Sequence, residues 1–184
     1  LTNSAVLSGF TLTNGCTGAG GANLLDRCGG GAAAPGGFIT NCILTGNAAG
    51  THGGGGAYGL FIDCTFTGNA ATNSGGGAFA ATLTACRVAG NRAGNLAGGV
   101  FEGNAFDSLI ASNLAVHGGG SASGNLTRCV LMANSALNSG GGAYGGVLTD
   151  CALLTNTAAE YAGGAYGSLL GGCGLTNNVA RYGG

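Results

Sequence analysis

One six-residue pattern constrains this chain more than any other feature: an apolar residue, two variable residues, Asn, a variable residue and Ala. It returns seven times, at 44–49, 66–71, 88–93, 110–115, 131–136, 153–158 and 175–180. The step between copies is 22 residues except for one step of 21. Self-similarity at such a period means stacked units, each covering its neighbour. A unit this short has no room for a pair of helices, and it is built of Gly, Thr, Asn and short alternating apolar stretches rather than helix formers at 3.6-residue spacing.

Strands of three to five residues separated by turns fit the unit better. In the stretch 148–153, Leu148 points inward, Asp150 turns a corner, and Cys151 and Leu153 point inward on the next strand. The corner position reads Asn41, Asp63, Ala85, Asp107, Arg128, Asp150 and Gly172. Asn, Asp and Gly tolerate a left-handed backbone, so most of these suit a left-handed bend. Short strands meeting at such corners predict an all-β chain, a right-handed parallel β-helix solenoid of about eight coils of about 22 residues. The 184 residues read as a single domain, 1–184, with an irregular insertion at about 15–34.

Four inward columns follow. One runs from Ile39 through Phe61, Leu83, Ala105, Leu126 and Leu148 to Leu170. The others are a cysteine column, the apolar residue of the pattern and its invariant Ala. The pattern's asparagines, Asn47, Asn69, Asn91, Asn113, Asn134, Asn156 and Asn178, are expected to stack as a structural ladder, because a carboxamide both donates and accepts. Cys42, Cys64, Cys86, Cys129, Cys151 and Cys173 share one column, with Ser108 in the seventh place, and read as buried thiols packing as small apolar groups. Cys16 and Cys28 bracket the insertion and are the candidates for a disulfide. Glycine runs precede Tyr58, Phe79, Phe101, Tyr144 and Tyr166, which are expected to stack on one another or to offer a sugar-binding strip.

These repeats resemble those of bacterial surface proteins with right-handed parallel β-helices, including the polymorphic outer-membrane protein type. The matching residues are Gly76-Gly77-Ala78 and Phe66-Thr67-Gly68-Asn69, with relaxed forms in the other coils. The resemblance implies a surface or extracellular setting, in adhesins, passenger segments or large anchored proteins.

Chemistry is harder to find. Asp63, Asp107 and Asp150 share the corner column two coils apart, about 10 Å by strand stacking, too far to hold one ion together. Glu102 reads as surface scatter, and His52 and His117 as solvated turn residues. No catalytic site, cofactor or metal site is expected, since no tetrahedral ligand set converges. The eleven charged residues include no lysine and give a net charge of −1, which leaves no footprint for nucleic acid. No apolar run is long enough for membrane insertion as a helix. The expectation is a non-enzymatic extracellular or cell-surface structural protein. Its partners would be itself, as a head-to-tail homopolymer, or neighbouring segments of a larger surface protein. Placing a second copy after Gly184 sets its Phe10 21 residues past Cys173, the same step as from Ser108 to Cys129. An adhesin or glycan-binding segment is the alternative, and a polysaccharide-active enzyme ranks below both.

Overall fold

The computed structural model describes residues 4–20 and 22–184. Residues 1–3, from which the head-to-tail register is counted, lie outside the described residues. The chain is a right-handed parallel β-helix of four parallel sheets, which among the described residues have eight, eight, six and seven strands. One coil crosses them in turn at Leu60–Ile62, Thr65–Thr67, Ala70–Ala71 and Ala78–Phe79, before Thr82–Thr84 reopens the first sheet. Every pairing joins a strand to its equivalent one coil away, as with Leu83 between Phe61 and Ala105.

The sheets meet at corners of positive φ. All seven residues expected at the first corner, from Asn41 (49°) to Gly172 (64°), adopt it, Ala85 and Arg128 included. A second corner, not anticipated, lies just before the asparagine of each repeat: Gly46, Gly68, Gly90, Ser112, Ala133, Thr155 and Asn177 all have φ between 53° and 68°. Each L residue held there costs about 1–2 kcal/mol. Stacking must offset that cost.

The core lies between the first two sheets and the fourth. Ile39, Phe61, Leu83 and Leu148 from the first sheet and Leu44, Phe66, Val88, Ile110 and Leu153 from the second are fully buried. Side chains of this size each contribute about 1.5–3 kcal/mol by leaving water. Volume is balanced coil by coil. Where Phe61 and Phe66 fill the interior, the fourth sheet supplies Gly56, whose absent Cβ would lie 2.7 Å from Phe61 Cζ. Where Ala105 leaves space, the fourth sheet supplies Val100. The invariant alanines, Ala49 to Ala158, are buried beside the third sheet, outside this main cluster.

The glycine runs are buried rather than laid out as an outer face. A Cβ on Gly76 would sit 2.4 Å from the Arg92 carbonyl oxygen and 2.6 Å from that of Gly98, so successive coils approach there backbone to backbone.

The 21-residue step arises in the turn after the third sheet, where Ala115-Val116-His117 is one residue shorter than the turns on either side and the strand Leu114–His117 runs straight through. The insertion divides in two. Most of it falls between Cys16, which pairs with Ala48, and Cys28, which pairs with His52, and it carries a short 3-10 helix at Leu24–Arg27. The remainder is the Pro35-Gly36 bend before Phe38–Thr40.

Candidate functional site

The recurring polar side chains sit at the first two corners, where a left-handed bend turns backbone groups away from the sheets and into the core. Buried donors and acceptors of that kind need partners. At the second corner the asparagines supply them. Asn69 Oδ1 accepts the backbone N–H of Asn47 at 3.0 Å, and its Nδ2 donates to the Leu44 carbonyl at 2.9 Å. The same pair of bonds repeats up to Asn178, which accepts from Asn156 and donates to Leu153. Each carboxamide also donates to the next, as Asn91 does to Asn113 at 3.0 Å. Asn47 to Asn156 are at most 1% exposed.

The cysteine column does the same work at the first corner. Cys64, Cys86, Cys129, Cys151 and Cys173 each donate S–H to two carbonyls, one two residues earlier and one in the preceding coil, at 3.3–3.5 Å. Their sulfurs face backbone N–H groups of the coil below: Cys129 N–H donates to Cys151 Sγ at 3.4 Å, and Phe10 N–H to Cys42 Sγ at 3.4 Å. Ser108 shows why the column tolerates one hydroxyl. Its Oγ accepts from Cys86 N–H at 3.0 Å and donates to the Phe106 carbonyl at 2.8 Å. The thiols are therefore corner-capping groups as well as packing groups. All are free, and Cys42 to Cys151 are at most 3% exposed.

The candidate Cys16–Cys28 disulfide is not formed. Cys16 lies exposed at the edge of the third sheet, whereas Cys28 is fully buried in an outer cluster against the fourth sheet, so the strands they join hold them on different faces. Burial raises the pKa of the Cys28 thiol, the opposite of what activates a nucleophile.

That outer cluster includes Ala57, Phe79, Ala97, Phe101 and Ala122, with Leu96 and Tyr144 packed against it. The histidines belong to it and are not solvated turn residues. His52 stacks on Phe79 with ring centroids 4.6 Å apart, and His117 on Tyr144 at 5.1 Å; both Nδ1 atoms are buried without a partner. Burial lowers the pKa of His52. Phe79 stacks on Phe101 and Tyr144 on Tyr166 as expected, but the column is broken by Ala122. Tyr58 stands one residue out of line, because Phe79 pairs with Ala57; Tyr58 occupies a corner instead, edge-on to Phe79. Its hydroxyl is pushed up to about 12, mainly by burial.

The carboxylates stay dispersed. Asp107 pairs with Arg128 of the next coil through two bonds of 2.7 and 2.8 Å, and this holds its carboxyl below the usual range. A groove of about 390 Å³ is lined by Phe38, Tyr58, Leu60 and Thr82 and contains no carboxylate, histidine or cysteine. Among the described residues, no group of three or more His, Cys, Asp or Glu could hold a metal ion, and no helix is long and apolar enough to cross a membrane.

The architecture defines the chain as a right-handed parallel β-helix repeat protein. Compared with protein families, curated proteins and solved structures, it gives no match. Nothing beyond the β-helix itself ties it to the polymorphic outer-membrane protein type.

Proposed function

We propose that this solenoid is a non-enzymatic structural protein of the extracellular space or cell surface, and that copies associate end to end. The observation that carries the reading is how the inward groups are used. Core, ladder and thiol columns are all engaged in packing or corner capping. Every sheet grows by pairing a strand with its equivalent one coil away, and the same parallel pairing between copies would extend the stack. The low charge and positive mean hydropathy favour association.

Sedimentation and electron microscopy of the purified chain across a concentration series test this. Filaments or concentration-dependent growth, abolished by Leu170→Asp with Leu175→Asp, are expected; uniformly dispersed monomers would overturn it, and would favour stacking against neighbouring segments of a larger surface protein. The glycan-binding reading draws on Tyr161, Tyr166 and Tyr182, all more than 40% exposed on one face. Their rings already stack on each other or on Tyr144, which leaves little free ring face for a sugar. Saturable binding on a glycan array, lost on Tyr161→Ala, would favour it.

A further inference from the structure

The cysteine column has a geometry that corner capping alone does not use. Ser108 divides it into two triads, Cys42–Cys64–Cys86 and Cys129–Cys151–Cys173. From Cys64 upward every thiol makes the same pair of carbonyl contacts, so the side chains share one orientation and successive sulfurs are related by one coil translation. That translation is the inter-strand spacing of about 4.8 Å. A relaxed disulfide needs Cβ atoms about 3.8 Å apart, so parallel stacking opposes direct sulfur–sulfur bonding. Two metal–thiolate bonds of the length that zinc makes to sulfur, about 2.3 Å, span about 4.6 Å when laid end to end, close to that spacing.

We propose that neighbouring thiols within each triad form two-coordinate, linear sites for a soft monovalent cation, Cu(I) or Ag(I), held between the sulfurs of successive coils. Soft thiolate donors select ions of this class, and two ligands suffice for a filled d-shell that prefers linear coordination. Charge balance favours the monovalent ion. Two thiols take up one cation and release one proton, R–SH + R′–SH + M⁺ → R–S–M–S(H)–R′ + H⁺, and the product is neutral, as a charge-free core requires. No electron is transferred.

The backbone N–H that faces Cys151 Sγ favours a thiolate there. Cys173, partly exposed, gives the upper triad a route of entry from solvent.

The test uses the full chain carrying Cys16→Ser, which removes the exposed thiol outside the column. The reduced protein is titrated anaerobically with Ag(I), challenged with a small dithiol, and weighed by native mass spectrometry. Retention of Ag(I) is expected. Cys64→Ser with Cys151→Ser removes the centre of both triads, leaves no adjacent pair, and should abolish retention. Folding should persist, because Ser108 already shows that a hydroxyl caps this corner, and circular dichroism checks it. Conversely, Ser108→Cys joins the triads into an unbroken row and should raise the number of ions held. No retention by the parent chain, equal retention by the double serine variant, which would place the ion at Cys28, or no gain with Ser108→Cys would each overturn the proposal.

Discussion

Asn113 shows what a single rung contributes. Its Oδ1 accepts from Asn91 N–H and from Asn91 Nδ2, and its own Nδ2 donates to the Val88 carbonyl and to Asn134, all at 1% exposure. Asn113→Ala strands a buried N–H, a buried carbonyl and two carboxamides, each worth about 1–3 kcal/mol. A loss of about 3–5 kcal/mol is expected in urea unfolding, larger than for Asn178→Ala, where no rung lies above. The ladder was legible in the sequence because the asparagine recurs without exception. The role of the cysteines was only half legible. Recurrence showed that they face inward, but a sequence does not show which backbone groups a bend leaves unpaired. The signal that could have revealed it was Ser108, since a hydroxyl is poor apolar filler and a good corner cap. Tyr58 was placed wrongly for a related reason: alignment on the glycine run is slack by one residue, whereas hydrogen-bond register is not.

Among elements, the fourth sheet depends most on what it lacks. Its strands are two residues long, and the glycines entering them let one coil rest on the backbone of the next. In Gly76→Ala the added Cβ meets two carbonyl oxygens that no side-chain rotation can move. Overpacking of this kind costs about 1–3 kcal/mol, so a lower melting temperature is expected, with strand content unchanged below the transition. Recurrence marks the glycine runs in the sequence but does not show which way they face. Their burial settles this, and the outer aromatic layer sits over strands that only a near-absence of side chains could bring so close.

At the scale of the whole molecule, acid sensitivity should come from the outer aromatic layer rather than from the core. His52 stacks on Phe79 and Phe101, with Arg27 and Glu102 the charges that act on it; burial lowers its pKa, the Glu102 charge only partly countering this. In the unfolded chain histidine titrates near 6.5. A folded pKa below that value means full stability above about pH 6.5 and a loss as pH falls through the folded value, because the unfolded state binds the proton first. Melting temperature should therefore decline as pH falls below about 6.5, and His52→Phe, which keeps the stacking, should flatten the decline. Asp107, also lowered, contributes only in a more acidic window below the ordinary carboxylate range.

Capping across the coils has a direction. At both corners backbone N–H groups are covered by side chains from the coil that follows, about 22 residues later in the chain, as Asn47 is by Asn69 and Cys129 by Cys151. For a polypeptide made from its N-terminus, a coil is laid on a finished surface but stays incomplete until the next one has been synthesised. Erosion is lopsided in the same sense. Stripping a coil from the C-terminal side bares the corners beneath it, whereas stripping one from the N-terminal side leaves every remaining corner sealed.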